Sequence, residues 1–372
     1  MNTILGLDIG TEYVKAALAK VGKNGALAIL AVAAKPQRPG AMRAGAITDI
    51  ASVVATSEEA IMAIEEASRE RAGTTVIGIA GELIKSSTTT VNYTRETPNS
   101  PITEQEMSEI VKKVQEKAGA VARETIATET GNKNVEVRLI NSAIVSLTID
   151  GYKIMNPIGF KGADVHILIY TAFAPLLHIA AIEKVSAELN LDLLTIAVEP
   201  FAICRACLGD NLDANFSGII MDIGSGTTDV AVIVDGSITG TATFSIGGKQ
   251  LEKDLESTLP VWITGVEVAL EEFGPDATLP RNIYLCGGAA SFGPLQESLA
   301  LGDWYEDLPF SRRPVIHLLD VARFPGITAR KDIELSATYA TALGLVRVGA
   351  DTLEGAPEEH GLRAKFSKLL QN

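Results

Sequence analysis

The sequence has few cysteines, few histidines and fewer basic than acidic residues, and each shortage excludes a class of protein. Three cysteines cannot form a disulfide framework, which favours a reducing cytoplasm, and Cys204-x-x-Cys207 lies in the apolar helical pattern of buried structural thiols. The four histidines lack the spacing of a metal site. The net charge of −14 disfavours the phosphate backbone of nucleic acids. The composition therefore predicts a cytoplasmic protein that does not bind nucleic acid.

Long apolar runs are also scarce. The uncharged stretch VHILIYTAFAPLLHIAAI at 165–182 is interrupted by Pro175 and by hydroxyl residues. This pattern favours a strand, a turn and a buried helix over a membrane span. The first residues, MNTILGLDIG, lack the basic segment of a signal peptide. We therefore expect neither a membrane-spanning helix nor a signal peptide in these segments.

A repeated pattern is the strongest signal in the sequence. The segment ILGLDIGTEYVKAALAKVGKNGALAIL at 4–30 recurs as GIIMDIGSGTTDVAVIVDGSITGTATF at 218–244. Each copy has an apolar strand, the motif D-I-G-[TS], a second strand, a glycine turn and a third strand, and helical patterns follow each copy. The length and the repeat together predict two homologous α/β domains that each open with a meander.

The segment between the copies differs in character. A capping box, TEQE, begins at Thr103, and a helical pattern with apolar residues at 107, 110, 111, 114, 118 and 121 follows it. Alternating strand patterns come next. The predicted organisation is a first α/β domain at 1–84 and 166–213, an inserted helix-and-sheet subdomain at 85–165, a second α/β domain at 214–347, a linker at 348–360 and a terminal helix at 361–372.

The terminal segment GLRAKFSKLLQN is basic and amphipathic. Its apolar and basic residues stand at helical spacing: Leu362, Arg363, Lys365, Phe366, Lys368, Leu369 and Leu370. A helix this short is marginal alone, and docking on a membrane surface would supply the missing stability. The pattern predicts a membrane-targeting helix, and a helix packed on its own domain is the alternative.

The repeated turn predicts a phosphate site that includes a metal ion. Asp8 and Asp222 each end a strand, and the glycine after them allows positive φ and close approach of backbone N–H groups to an anion. A carboxylate repels phosphate unless Mg²⁺, with its water shell, lies between them. A single D-I-G-T is more often a simple strand-ending turn. Two copies predict two domains that close on one polyphosphate, with both carboxylates facing a shared metal.

Other residues complete the predicted site. Glu199, in VEPFA, is the candidate to orient an attacking water and joins Asp8 and Asp222 in the catalytic set, although the helix dipole alone favours an acid there. Gly287 and Gly288 would let a base or ribose lie against the backbone, although a bare turn also explains them. The candidate phosphate-binding residues are Gly10, Thr11, Lys15, Gly224, Ser225, Gly226, Thr227 and Thr228.

The motifs, taken in order, resemble a known superfamily. Strand-DIGT, EP-x-A, DIG-x-GTTD and the late GG turn resemble the actin, Hsp70 and sugar-kinase ATPases, whose fold is ribonuclease H-like. The segments IDGYKIMNPIGFKG, VEPFA, MDIGSGTTDVAV and IGGKQLEKDL are most similar to the FtsA family of bacterial cell-division proteins. The likeness covers about 1–255 and, more loosely, 281–347, and the insertion falls where FtsA carries its own subdomain.

The resemblance implies a function. An FtsA-like protein binds ATP and Mg²⁺, hydrolyses ATP slowly at most, and forms filaments on the inner face of the cell membrane at the division site. There it binds the C-terminal peptide of the tubulin-like division protein FtsZ. Segment 249–282 is short where FtsA has a full subdomain, so we expect a reduced adenosine pocket. The alternatives are a pilus-assembly scaffold of the PilM type without significant ATPase activity and a sugar kinase of the same superfamily.

Overall fold

The protein is described by a computed structural model that covers residues 3–22, 25–154, 156–209, 216–273 and 278–354. These residues belong to two units. The first contains Met1–Glu82, Leu177–Gly236 and Thr241–Ala350, and the second contains Leu83–Leu176 and Ser237–Gly240. The predicted insertion at 85–165 thus lies within the second unit.

Strands and helices alternate along most of the described chain. The strands are β1 (Thr3–Ile9), β2 (Tyr13–Val21), β3 (Leu27–Pro36), β4 (Met42–Arg43), β5 (Ala46–Ile47), β6 (Thr74–Ile79), β7 (Lys85–Thr94), β8 (Val137–Ile149), β9 (Tyr152–Lys153), β10 (Asp164–Pro175), β11 (Asp192–Val198), β12 (Gly218–Ile223), β13 (Thr228–Val234), β14 (Ser237–Phe244), β15 (Asn282–Cys286), β16 (Val315–Leu318) and β17 (Ile327–Ala329). The helices are α1 (Ile50–Ser68), α2 (Glu104–Thr130), α3 (Leu176–Glu188), α4 (Glu199–Leu208), α5 (Gly248–Lys253), α6 (Leu255–Glu271), α7 (Gly293–Leu301) and α8 (Ala340–Glu354), with 3₁₀ turns at Val321–Arg323 and Ala337–Tyr339.

The two predicted meanders each form part of a mixed sheet. One sheet has the strand order β11-β6-β1-β2-β3-β17, and another has the order β14-β13-β12-β15-β16. In both, the first meander strand lies between an antiparallel neighbour, β2 or β13, and a parallel one, β6 or β15. All residues of β1 are buried, as expected for a central strand with both faces covered. The structure therefore contains the predicted repeat.

In the second unit, one long helix packs on one face of a sheet with the order β7-β10-β8-β9. The predicted N-cap is present, since the Glu106 N–H donates to Thr103 Oγ1 at 3.2 Å. The buried face of α2 differs from the prediction at its C-terminal end, where Val121 is 58% exposed. The face passes instead through Gly119, where a Cβ would lie 3.0 Å from the Phe173 ring.

The uncharged stretch at 165–182 is a strand followed directly by a helix. β10 runs to Pro175 and α3 begins at Leu176, so the predicted strand and helix are present without the predicted turn. The helix is buried on one face only, since Leu177 is 78% exposed. Within the described ranges, no helix is long and apolar enough to cross a membrane.

Helix α8 extends further than the sequence predicts. It ends at Glu354, so the first part of the predicted linker at 348–360 is helical. Gly349, at the start of this range, allows close packing of the helix, because a Cβ there would lie 2.7 Å from Ile4 Cγ2 and 3.0 Å from Val76 Cγ2. The predicted terminal helix at 361–372 lies outside the described residues.

Candidate functional site

The two repeated turns have the same local geometry. The Gly10 N–H donates to the Tyr13 carbonyl at 3.0 Å, and the Gly224 N–H donates to the Thr227 carbonyl at 3.0 Å. Neither glycine has a positive φ, so the predicted reason for glycine needs correction. Close approach of the chain is the reason that holds, because a Cβ would lie 2.8 Å from the Tyr13 carbonyl oxygen in the first turn and 3.3 Å from that of Thr227 in the second.

The residues opposite the two aspartates differ in charge. Asp8 is paired with Lys15 across β1 and β2, whereas Asp222 is paired with Asp229 across β12 and β13. Lys15 Nζ lies 3.3 Å from Asp8 Oδ2. Burial lowers the pKa of Lys15, but the charges of Asp8 and Asp222 outweigh it and raise that pKa above its ordinary value. A protonated lysine therefore lies among the carboxylates.

Both turns border one cleft of about 1050 Å³, including its opening to solvent. The turns approach each other closely, since a Cβ at Gly226 would lie 3.1 Å from Thr11 Oγ1. The predicted site residues that line the cleft are Asp8, Gly10, Thr11, Lys15, Glu199, Asp222, Gly224, Ser225, Gly226, Thr227 and Gly288.

Two predicted ligand contacts, Thr228 and Gly287, do not line the cleft. The Thr228 hydroxyl donates to the Ile246 carbonyl at 2.8 Å and accepts from Trp262 Nε1 at 2.8 Å. A hydroxyl has one proton, so Thr228 cannot also donate to a phosphate. Gly287 lies against Asp222 instead, where a Cβ would overlap Asp222 Oδ1.

Glu199 reaches the cleft from the first turn of α4. It packs over a residue without a side chain, because a Cβ at Gly78 would lie 2.7 Å from Glu199 Oε1. Burial raises the pKa of Glu199 well above its ordinary value, and the charges of Asp8 and Asp229 raise it further. Glu199 therefore holds a proton more readily than an exposed glutamate.

The two acids on β12 and β13 are perturbed in the same direction. Burial raises the pKa of Asp222, although the charge of Lys15 and a hydrogen bond from Thr341 oppose the rise. Burial and the charge of Asp222 raise the pKa of Asp229 to about 7, although Thr243 Oγ1 donates to Asp229 Oδ1 at 2.5 Å. A cation in the cleft would relieve the repulsion among these carboxylates.

Sequence reasoning missed several residues at this site. Asp229 had a local signal, since it ends the GTTD motif and faces the motif's first aspartate across two strands. Thr341 had none, yet its hydroxyl on α8 donates to Asp222 Oδ2 at 2.5 Å. Lys249 and Glu252 line the cleft from α5, inside the segment expected to contribute little.

The lining fits an anion that is bound together with a cation. Ser225 Oγ is a buried atom for which the described residues supply no hydrogen-bond partner. The lining acids Asp8, Glu12, Glu199, Asp222, Asp229 and Glu252 outnumber Lys15 and Lys249, so a polyphosphate alone would be repelled. Among the described residues, no three His, Cys, Asp or Glu side chains are placed to hold a metal ion. A cation here would therefore keep part of its water shell, as Mg²⁺ prefers.

Comparisons with known proteins show that the chain is similar in sequence to FtsA and in fold to a PilM–PilN structure. The chain is 25% identical over 258 residues to FtsA of Pseudomonas aeruginosa, covering 69% of this chain and 57% of that protein. It is 26% identical over 274 residues to FtsA of Neisseria meningitidis, covering 72% and 60%. A solved PilM–PilN type IV pilus biogenesis complex matches with a TM-score of 0.65 and 18% identity over 93% of this chain and 98% of that chain. This chain is an FtsA-like protein with the actin-like fold. No protein-family model matches it.

The chain spans 57% and 60% of the length of the two FtsA proteins named above. The short segment after Gly248 contains two helices, α5 and α6. Trp262 of α6 is fully buried in the core under β12 and β13, so this segment is integral to its sheet. The actin-like α/β fold predicted from the motifs is confirmed.

Proposed function

We propose that this FtsA-like protein binds ATP with Mg²⁺ in the cleft and acts as a scaffold on the cytoplasmic face of the membrane. The observation that carries the proposal is the pair of equivalent turns, which bring Asp8, Asp222 and the unpartnered Ser225 hydroxyl to one cleft. The acids of the same cleft would weaken the binding of a polyphosphate that has no cation with it.

The chain's own residues have separate roles in this proposal. Backbone N–H groups of the two turns, the hydroxyls of Thr11 and Ser225, and the Lys15 ammonium would bind phosphate oxygens. The Thr227 hydroxyl, although predicted to bind phosphate, donates to Asp229 instead. Asp8 and Asp222 are the residues that would hold Mg²⁺, and the ion would supply positive charge against the phosphates. A Cβ at Gly288 would meet nothing within 4 Å, which leaves room beside that backbone for a base or ribose.

Glu199 is the residue placed to orient an attacking water. It lines the cleft, and burial raises its pKa, so it accepts a proton more readily than an exposed glutamate. The negative charges of Asp8 and Asp229 also disfavour the ionised form of Glu199. Turnover is therefore proposed to be slow at most and to depend on the cation.

The finer parts of the function rest on the likeness to FtsA and on the sequence of the terminal segment. The basic amphipathic residues at 361–372 would dock the protein on the inner membrane surface. Binding of the FtsZ C-terminal peptide and self-association into filaments would then place it in the divisome at the septum.

A scaffold of the PilM type is the second candidate, and the fold shared with the PilM–PilN complex motivates it. The PilM–PilN structure is matched over 98% of its chain, whereas the FtsA of P. aeruginosa is matched over 57% of its length. Such a scaffold would have no significant ATPase activity, and its cleft would no longer be under selection to bind a nucleotide.

Calorimetric titration of ATP with Mg²⁺ separates the two candidates. The proposed function predicts saturable binding by wild type and binding at least about tenfold weaker by Asp222→Ala. Asn92→Ala, in the second unit, serves as a control and should bind like wild type. Absence of binding by wild type would favour the scaffold without a nucleotide.

A further inference from the structure

The Asp222 carboxylate is contacted on both oxygens by residues outside the repeated turn. Thr341 Oγ1, on α8, donates to Oδ2 at 2.5 Å, and Thr341 is only 2% exposed. On the other side, Gly287 lies so close to Oδ1 that a Cβ there would overlap it. We call Thr341 and Gly287 the Asp222 clamp.

The two clamp residues are connected through the backbone. The Gly287 N–H donates to the Ala337 carbonyl at 3.2 Å, in the 3₁₀ turn that leads into α8. Gly287 has a φ of 89°, a left-handed conformation that side chains other than glycine rarely adopt. The glycine turn is therefore hydrogen-bonded to the turn that leads into α8, and Gly287 and Thr341 contact the same carboxylate.

Helix α8 is also packed against the two elements that carry the other candidate catalytic acids. A Cβ at Gly6 of β1 would overlap the Ala342 carbonyl oxygen. A Cβ at Gly344 would lie 2.5 Å from the carbonyl carbon of Ala202 on α4. Backbone contacts this close leave little freedom to slide. The Thr341 hydroxyl is thus fixed relative to all three acid-bearing elements.

We propose that Thr341 is a positioning residue, whose hydroxyl holds the Asp222 carboxylate in the one orientation that receives the water shell of Mg²⁺. This inference rests on the proposed function. A carboxylate fixed beforehand loses less freedom when the cation binds, and Asp222 lines the cleft that would receive the cation. Gly287 contacts the other oxygen of the same carboxylate.

A purely structural role for Thr341 makes a different prediction. If the hydroxyl only satisfied a partly buried carboxylate, its loss would lower stability and affect every ligand alike. If it positions Asp222 for the cation, its loss selectively weakens nucleotide binding that depends on Mg²⁺.

The experiment measures ATP affinity with Mg²⁺ and in EDTA, together with thermal unfolding, for three variants. Thr341→Val removes the hydroxyl at constant shape, and we expect about tenfold weaker binding with Mg²⁺ but less than about a twofold change in EDTA. Thr341→Ser keeps the donor and should stay within about twofold of wild type in both conditions. Thr338→Val is the matched control, because its hydroxyl contacts Ser336 at 2.6 Å and not the site.

Thr341→Ala replaces the valine variant should the latter fail to fold, with the same expected pattern. If the Thr341 variants lost ATP affinity equally with Mg²⁺ and in EDTA, or lost none with Mg²⁺, the positioning role would be overturned. The proposed function would still stand in that case, provided that wild type binds ATP with Mg²⁺. Failure of wild type itself to bind ATP with Mg²⁺ would overturn the proposed function and this inference with it.

Discussion

Replacing Ser225 by alanine should change stability and nucleotide affinity in opposite directions. In the ligand-free protein, Ser225 Oγ is buried without a hydrogen-bond partner among the described residues. A buried hydroxyl left unpaired costs about 1–3 kcal/mol, so its removal should raise the free energy of unfolding by about 1 kcal/mol once the small loss of packing is included. Residue Ser225 also lines the cleft, where a bound phosphate would accept the proton of its hydroxyl.

The loss of affinity follows from the charge of the acceptor. Hydrogen bonds to charged groups contribute about 1.5–3 kcal/mol, so Ser225→Ala should bind ATP with Mg²⁺ about 10- to 100-fold more weakly than wild type. Denaturant unfolding without nucleotide measures the first effect, and calorimetric titration measures the second. Most substitutions of functional residues that also damage the fold would lower both quantities.

The chain offers a matched control for this prediction. Ser245 Oγ is also buried without a partner in the described structure, but Ser245 does not line the cleft. Ser245→Ala should raise stability by a similar amount, about 1 kcal/mol, and leave ATP affinity unchanged. Unchanged affinity in Ser225→Ala, or equal losses of affinity in both variants, would refute the assignment of Ser225 to the phosphate site.

Three further predictions follow from other parts of the molecule. A Cβ added at Gly78 would lie 2.7 Å from Glu199 Oε1, so Gly78→Ala would force the Glu199 side chain to move. Single-turnover hydrolysis of ATP should then fall by about a hundredfold, with ATP affinity nearly unchanged. A parallel loss of affinity would contradict the role of Glu199 in hydrolysis. Deletion of 361–372 should abolish sedimentation with anionic liposomes, and retained sedimentation would exclude the predicted membrane-targeting helix. Arg95 Nε donates to Glu106 Oε1 at 2.8 Å and lowers the pKa of Glu106. Glu106→Gln should therefore destabilise the protein by about 2 kcal/mol at neutral pH. The lowered pKa stabilises the fold only above the ordinary pKa of a glutamate, so the difference in stability between the two proteins should shrink as pH falls below about 4.5. A difference in stability that stays constant with pH would count against the ion pair.

The repeated turns could be predicted because their signal is local. The aspartate, the glycine and the flanking apolar strands are consecutive in sequence, and strand pairing alone fixes their geometry. Repetition then implied that the two turns face one ligand, and the structure places both on the same cleft. The fold class followed from the same pattern, since helices after each meander exclude an all-β protein.

The alternation of side chains along a strand explains one of the errors. Thr227 and Thr228 are adjacent, and both were predicted to bind phosphate. Successive residues of an extended chain point to opposite sides, so Thr227 lines the cleft while Thr228 meets Trp262 behind the sheet. The two-residue period was available in the sequence and would have separated them.

The contact between Thr341 and Asp222 could not be predicted in this way. The two residues lie 119 positions apart, and no local pattern marks a threonine at the start of a helix as a partner for a distant carboxylate. Gly287 was singled out for its sequence, yet its use against Asp222 depends on how β15 pairs with β12. Such contacts arise from tertiary packing, which decides the role of a residue after the secondary structure has formed.

A structure of the protein with a non-hydrolysable ATP analogue and Mg²⁺ tests the central claim most directly. The account predicts the phosphates between the two turns, with Ser225 Oγ within about 3.2 Å of a phosphate oxygen and with Asp8 and Asp222 facing the ion through water. A triphosphate bound away from the two turns, or a cleft that stays empty at saturating analogue and Mg²⁺, would contradict it.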